Sequence, residues 1–267
     1  MLGLGITILS ILVISVLMSM TGRGGGNFYV PVLVACGLTM LEAATSAQCI
    51  LLCTAVAAAL VFQKSRMIDW KLAMVIDPPT DVMALLGGYY AHVLPSGVLK
   101  FVFAGLLVLS GLFMLRPARN KPSSDKNRLG FWHRKFGEHE YVVNLWLALP
   151  ITTVTGLVSG MVGISGGSFK VPLMVLGCGV PMLVAVGTSS AMVAATALMG
   201  LIGHSAAGDF NAFWAIPMSV TAVTGGLLGG VFSLKTKQKN LKRIFAYTTF
   251  GAALFMVINA WLSFGNR

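Results

Sequence analysis

The feature that most constrains this chain is a series of eight apolar stretches, each close to the length of a membrane-crossing helix. They occupy residues 3–20, 40–62, 72–90, 98–115, 142–164, 182–203, 213–232 and 244–264. An α-helix of about 20 apolar residues crosses a bilayer. Only 10% of the 267 residues are charged, whereas soluble domains carry about 25%. A soluble domain could not bury so much apolar surface, so we predict an all-α integral membrane protein.

The basic residues lie mainly in short segments between the apolar stretches. A formal net charge of +11 would favour nucleic-acid binding in a soluble protein. Here we interpret the Lys and Arg residues as topology signals and as contacts with anionic lipid head groups, so nucleic acid is not an expected partner. Residues 1–19 have no basic residue ahead of their apolar run, and we expect them to belong to the mature protein.

The chain contains an internal repeat. TGRGGGNFYVPVL begins at residue 21 and VGISGGSFKVPLM begins at residue 162, an offset of 141. Later matches, such as residues 45–46 with 188–189 and 69–70 with 209–210, keep the offset between 140 and 143. Two-fold repeats are common in secondary transporters. We therefore predict a first helical repeat at 1–116, a basic cytoplasmic linker at 117–140 with a short surface helix at 130–138, and a second repeat at 141–267.

Charge indicates how the repeats are oriented. Lys64, Arg66 and Lys71 follow the second apolar stretch, whereas the equivalent residues 204–210 contain no Lys or Arg. Because basic loops face the cytoplasm, equivalent loops lie on opposite sides and the repeats are inverted. The simplest arrangement gives each half a glycine-tipped re-entrant helical hairpin plus about three transmembrane helices. The alternative is four crossings per half, with parallel repeats.

Glycine turns interrupt both repeats at predicted membrane depth, at residues 24–26 and 165–167. Irregular backbone is tolerated there only inside protein or beside a water-filled cavity. Glycine also leaves space for a ligand against the backbone, and a following helix directs its N–H groups toward that space. We interpret the turns as an anion site; the alternative is close helix packing by small residues.

Charged residues accompany these turns. Arg23 has fixed donors that suit a sulfonate or carboxylate, although it could instead snorkel or form a structural pair. Lys170 is a second anion contact or a residue that reaches the cytoplasmic interface. Asp77 and Asp81 lie one helical turn apart around Pro78 and Pro79. They are candidates either for proton coupling or for an ion pair with Arg23 or Lys170.

Polar residues complete the predicted site. Ser46, Gln48, Thr188 and Ser189 follow the hairpins and could donate to an oxyanion, or could satisfy helix backbone. Asn27 and Ser168 could cap the short helices. The predicted substrate-binding residues are Arg23, Gly24, Gly25, Gly26, Asn27, Ser46, Gln48, Ser165, Gly166, Gly167, Ser168, Lys170, Thr188 and Ser189.

These motifs resemble the TauE/SafE family of sulfite and organosulfonate exporters. The resemblance rests on the two glycine segments and on the stretches at 43–46 and 185–189, and it covers nearly the whole chain outside the linker. It implies transport of a small sulfur-containing oxyanion such as sulfite or sulfoacetate, with export across the bacterial inner membrane. Arg23 replaces an apolar residue of the family pattern and Ser165 replaces a glycine, so the resemblance leaves the anion open.

The chain shows no motif of an enzyme, a metal centre or a phosphate loop, and we expect no catalytic residue and no cofactor. The expected partners are a small anionic organosulfur substrate, membrane lipid and a second copy of the chain in a homodimer. Two other functions stay open. One is an anion channel, and the other is a membrane assembly factor that handles thiols or metals through Cys36, Cys49, Cys53 and Cys178.

Overall fold

The computed structural model describes residues 2–91, 93, 105, 108, 111–112, 129–164, 166–205 and 210–265, and these residues are predominantly helical. The first half contains α1 (Leu2–Met20), α2 (Gly26–Ala35), α3 (Met40–Lys64), α4 (Trp70–Ile76) and α5 (Pro78–Tyr89). Strands β1 (Phe131–Phe136) and β2 (His139–Asn144) follow. The second half contains α6 (Leu145–Val162), α7 (Gly167–Pro172), a π-helical turn (Leu173–Gly177), α8 (Met182–Ser205), α9 (Ala212–Lys235) and α10 (Gln238–Gly265).

Among the described residues, four helices are long and apolar enough to cross a membrane, judged by length and composition. They are α3 from Leu41 onward, α6, α8 and α9, which confirms four of the predicted apolar stretches as helices. The predicted stretch at 72–90 is divided, because α4 ends before Asp77 and α5 begins at Pro78. Proline is tolerated in the first turn of a helix but interrupts a helix interior. The stretch at 98–115 lies almost wholly outside the described residues.

The two halves meet where α3 packs against α8. A Cβ on Gly187, near the start of α8, would lie 2.5 Å from the carbonyl oxygen of Met67, beyond the end of α3. A Cβ on Gly200, near the end of α8, would lie 2.8 Å from Nε2 of Gln48, in the first half of α3. The two helices therefore run antiparallel. On their flanks α9 packs on α1 and α3, and α5 packs on α6 and α8.

Each half begins with two helices joined by a glycine turn. In the first half, α2 returns beside the early part of α1, where Thr7 Oγ1 and Cys36 Sγ are 3.2 Å apart. In the second half, a Cβ on Gly177 would lie 3.6 Å from a methyl group of Leu147. The end of the π-helical turn therefore lies beside the start of α6. Both pairs of helices are hairpins with their glycine turns at the tip.

The linker contains a β-hairpin, so the predicted short helix at 130–138 is wrong and the fold is not strictly all-α. β1 and β2 pair antiparallel with Phe136 opposite His139, and Gly137 turns between them with φ of 57°. Along β2 the side chains of Tyr141 and Val143 are buried and their neighbours are more exposed. This alternation matches the two-residue period of a strand, not the period of a helix.

An ion pair attaches the hairpin to the helices. Arg134 donates to both carboxylate oxygens of Asp69, over 2.8 and 2.9 Å, and the Tyr141 hydroxyl donates to one of them. Burial by itself would raise the pKa of Asp69, but the hydrogen bonds from Arg134 and Tyr141 hold it below its ordinary value. The Asp69 side chain also caps α4 by accepting from the Leu72 N–H at 3.2 Å. We call Asp69, Arg134 and Tyr141 the hairpin lock.

Candidate functional site

The two glycine turns touch each other inside the protein. A Cβ on Gly167 would lie 2.8 Å from the carbonyl oxygen of Gly22 and 3.0 Å from Cα of Arg23. Gly24 and Gly25 have φ values of 69° and 104°, which L side chains rarely adopt. A larger residue at position 167 would separate the two turns, so the predicted glycine segments at 24–26 and 166–167 adjoin each other. Ser165 lies outside the described residues.

Each turn also packs against the long helix of the other half. A Cβ on Gly22 would lie 2.6 Å from the carbonyl oxygen of Val186 in α8, and a Cβ on Gly163 would lie 2.6 Å from Cα of Ala44 in α3. Gly22 and Gly163 are equivalent in the repeat, and Ala44 and Val186 differ by 142 residues. The same contact is therefore made twice, once by each hairpin.

A hydrogen bond joins the two turns through side chains. Nδ2 of Asn27 donates to Oγ of Ser168 over 2.9 Å, and both residues are buried. The predicted capping role is wrong, because neither α2 nor α7 has a side-chain hydrogen bond at its N-cap. In each helix the N-cap is a glycine, and the polar side chain that follows is directed across the interface.

The polar residues that follow the hairpins divide into two groups. In α8, Ser189 donates to the carbonyl oxygen of Gly22 over 2.7 Å, and Thr188 accepts from the backbone N–H of Asp69 at 3.0 Å. In α3, Oγ of Ser46 and both amide atoms of Gln48 are buried and have no hydrogen-bond partner among the described residues. The α8 residues therefore bond backbone groups, whereas these α3 side chains do not.

Arg23 is directed away from the contact between the turns. Its guanidinium donates to the hydroxyls of Thr248, over 2.7 Å, and Thr249 in α10, and it lies 4.6 Å from the ring centroid of Phe245. The side chain is 1% exposed. A buried guanidinium of this kind fixes the first turn against α10 and adds positive charge close to it.

Lys170 lies at the second turn and is fully buried. Its ammonium donates to Asp77 and, over 2.7 Å, to Thr196 Oγ1. The side chains of Lys170 and Asp77 are 0% and 7% exposed. Of the two ion pairs predicted for Asp77, with Arg23 or with Lys170, the structure therefore contains the one with Lys170. Asp81 joins the same group, because Thr196 donates to its Oδ1 over 2.8 Å.

Thr196 and Thr80 belong to this site but were missed in the sequence. Oγ1 of Thr80 is buried without a hydrogen-bond partner among the described residues, and its methyl carbon would lie 3.6 Å from a Cβ on Gly166. The repeat contained a signal for Thr196, because Thr54 lies 142 residues earlier. Thr54 bonds Tyr29 at 3.1 Å, and Tyr29 is the repeat equivalent of Lys170.

The four cysteines are free thiols. Cys36 contacts Thr7, and Cys49 accepts from Ser219 at 3.5 Å. Among the described residues no group of three or more His, Cys, Asp or Glu side chains could hold a metal ion.

Comparison with known proteins identifies the same family that the duplicated glycine motifs resemble. The family model described as sulfite exporter TauE/SafE matches residues 7–256. The chain belongs to the TauE/SafE family. It is 25% identical over 237 residues to the "Probable membrane transporter protein YunE" of Bacillus subtilis strain 168, covering 85% of this chain and 87% of the relative.

Two further relatives come from Xylella fastidiosa, and both carry the name "Probable membrane transporter protein". They are 25% identical in strain Temecula1 and 24% identical in strain 9a5c, each over 199 residues that cover 73% of this chain and 71% of the relative. No solved structure matches the chain significantly. The chain is thus a TauE/SafE member, related to proteins named as membrane transporters.

Proposed function

We propose that this protein is a secondary transporter that exports a small sulfur-containing oxyanion, such as sulfite, sulfoacetate or another organosulfonate, across the bacterial inner membrane. The family membership and the names of the relatives support transport. The family description supports a sulfur oxyanion. The charge of the segments around the apolar stretches supports the orientation, since basic loops face the cytoplasm.

The observation that carries the proposal is a set of buried polar atoms that have no hydrogen-bond partner among the described residues and that lie on α2 and α3, two helices that contact the glycine turns. They are Oγ of Ser46, the amide of Gln48 and Oδ1 of Asn27. An unsatisfied buried polar group costs about 1–3 kcal/mol, so it is expected to meet a ligand, an ion or water. α3, which carries Ser46 and Gln48, contacts both turns, through Leu51 at Gly24 and through Ala44 at Gly163.

In the proposed site an oxyanion lies between the two hairpin tips. The amide of Gln48 and the hydroxyl of Ser46 donate to its oxygens, and the glycines allow it to approach the backbone closely. Lys170 provides positive charge at the second turn, and Arg23 provides it behind the first. Ser168 and Asn27 hold the tips together. Sulfite and sulfonates offer three oxygens to such donors, which favours them over a planar carboxylate.

Alternating access would follow from inverted repeats with re-entrant hairpins. The antiparallel packing of α3 on α8 supports this arrangement, since equivalent helices of inverted repeats run in opposite directions. The return of α2 beside α1 supports re-entrance. In transport, each hairpin with its flanking helices would move against the other half and expose the anion to one side at a time.

An exporter of this kind needs no ATP. A membrane potential favours the exit of an anion from a negative-inside cell by about 2.3 kcal/mol per charge per 100 mV. The same energetics would also serve a channel, so the kinetic mechanism has to be tested separately from the substrate.

Exchange in proteoliposomes tests the proposal. Vesicles loaded with unlabelled sulfite or sulfoacetate should accumulate the labelled anion transiently, because a carrier returns with the external anion bound. A channel would show no such counterflow, and absence of flux for every sulfur oxyanion would contradict the substrate class. Replacing all four cysteines with Ala should leave exchange largely intact, whereas a thiol-handling or metal-handling factor would lose its activity.

A further inference from the structure

A buried charged cluster adjoins the second glycine turn. It is formed by Lys170 of α7, Asp77 at the break before α5, Asp81 of α5 and Thr196 of α8, which are linked by the hydrogen bonds described above. A Cβ on Gly166 would lie 3.3 Å from Cε of Lys170 and 3.8 Å from its ammonium nitrogen. An anion seated at this turn would therefore share the ammonium with Asp77.

The cluster has two carboxyl groups and one ammonium. Among the described residues, the elements packed against α5 offer no second Lys or Arg to the cluster: α6 has no ionisable side chain, α7 has only Lys170, and Lys71 of α4 is exposed. The ionisable side chain of α8 is His204, whose ring nitrogen bonds the carbonyl oxygen of Gly160 at 2.8 Å. With both carboxyls ionised the cluster has a net charge of −1 in surroundings where an uncompensated charge is costly.

The first hairpin has a neutral group at the equivalent place. Tyr29 and Thr54 correspond to Lys170 and Thr196 in the repeat, and their hydroxyls bond each other at 3.1 Å. Asp77 and Asp81 have no acidic counterpart in α9, which contains neither Asp nor Glu. The excess negative charge therefore lies beside the second hairpin and not at the equivalent place beside the first, so packing of a hairpin does not require it.

We infer that the Asp77–Asp81 pair takes up one proton for each anion that binds, so that proton and anion cross the membrane together; this inference rests on the proposed function. Without a proton, a bound dianion such as sulfoacetate would place four negative charges around one ammonium. With one proton, the transported dianion and proton together still carry one negative charge, so the membrane potential still favours their exit. When the anion draws the ammonium of Lys170 away from Asp77, a carboxylate oxygen accepts a proton from the open side. On release of the anion, Lys170 returns to Asp77 and the proton leaves to solvent.

Proton movement in proteoliposomes tests this inference. The full-length protein is reconstituted with a pH-sensitive dye inside, and potassium with valinomycin holds the membrane potential at zero. Sulfoacetate is the probe, because neither of its acid groups titrates near neutral pH. Addition of labelled sulfoacetate outside should acidify the lumen, with one proton entering per anion, and uptake should rise as the external pH is lowered.

Variants distinguish coupling from a structural role. In Asp77→Asn the ratio of protons to anions should fall toward zero, and uptake should lose its pH dependence. Asp81→Asn should have the same two effects on the proton ratio and on the pH dependence of uptake. Because Asp81 is only partly buried, this variant still tests the coupling if Asp77→Asn does not fold. The matched control is Glu140→Gln in the exposed part of β2, which should keep a ratio of one.

The outcomes separate the two proposals. Sulfoacetate uptake without acidification, or an unchanged proton ratio in both Asp variants, would overturn the coupling while the proposed transport stands. No uptake or exchange of sulfoacetate and sulfite by the wild-type protein would overturn the proposed function and this inference with it.

Discussion

Asn27 donates a hydrogen bond to Ser168 over 2.9 Å, and the two residues are 141 positions apart, which is the offset of the internal repeat. Equivalent side chains from the two halves therefore meet at the tips of both hairpins. If one tip moves relative to the other, this bond must break; if the two tips move together, the bond can persist. The bond lies beside the backbone that we propose to hold the anion.

Ser168→Ala should destabilise the protein by about 1–3 kcal/mol, because it leaves the Asn27 amide buried without its acceptor. The free energy of unfolding in mixed micelles measures the effect. Ser190→Ala is the control, since Ser190 bonds the carbonyl of Val186 within its own helix at 3.0 Å. Equal losses for the two variants would mean that the contact between the tips contributes nothing specific.

Gly22→Ala should destabilise the protein by about 3 kcal/mol, from a strained backbone and an overpacked contact. Gly22 has φ of 72°, and the added Cβ would lie 2.6 Å from the Val186 carbonyl oxygen. Gly251→Ala in α10 is the matched control, because beyond its own helix backbone no atom of a described residue lies within 4 Å of its Cβ position. Thermal unfolding compares the two. A Gly22→Ala protein as stable as Gly251→Ala would contradict the close packing of the turn.

Asp69→Asn should destabilise the protein by about 2–4 kcal/mol at neutral pH, because it leaves Arg134 without its ion-pair partner in the hairpin lock. The control is Glu140→Gln, since the Lys135–Glu140 pair is about 70% exposed and exposed pairs contribute little. If both changes have the same small effect, the hairpin is not held by the lock.

The effect of Asp69→Asn should also depend on pH. Hydrogen bonds hold the pKa of Asp69 below its ordinary value, so ionised Asp69 stabilises the fold above its unfolded pKa of about 3.9. That contribution is lost as the pH falls through the lower pKa of the folded state. Wild type and variant should therefore converge in acid, and a constant difference in stability would argue against this linkage.

Much of the helical framework followed from the sequence. The apolar lengths predicted α3, α6, α8 and α9, since a bilayer sets the length of a spanning helix. The break before Pro78 has a local cause, because proline interrupts a helix interior but is tolerated in a first turn. Residues 130–138 were predicted as a short surface helix within a basic linker, but they form β1 and the turn of the β-hairpin. The two-residue turn at Gly137 and Glu138, between alternating side chains, was the signal of a hairpin.

Side-chain partners in the site were harder to predict. The sequence placed Lys170 and Asp77 among several alternative pairs, and only the three-dimensional arrangement of α5, α7 and α8 selects this one. Arg23 contacts Thr248 and Thr249 from more than 220 residues away. No local pattern encodes such a contact. The repeat offset was more informative, because it relates Asn27 to Ser168 directly.

Arg23→Lys should lower the melting temperature more than it weakens anion binding. Lysine keeps the charge but lacks the planar fork that contacts both Thr248 and Thr249. Thermal unfolding and an anion titration on the same preparation measure the two effects. A large loss of anion affinity at unchanged stability would instead make Arg23 a direct anion contact.

The most direct test of an anion site between the turns is ligand-induced stabilisation of the purified protein. Melting temperatures are compared with sulfite, thiosulfate, sulfoacetate, taurine, sulfate and acetate for wild type, Gln48→Leu and the control Gln63→Leu at the exposed end of α3. We predict that a sulfur oxyanion stabilises wild type and Gln63→Leu, by about 2.7 kcal/mol at a hundredfold excess over Kd, and fails to stabilise Gln48→Leu. Equal stabilisation of Gln48→Leu, or no stabilisation by any of these anions, would contradict the site.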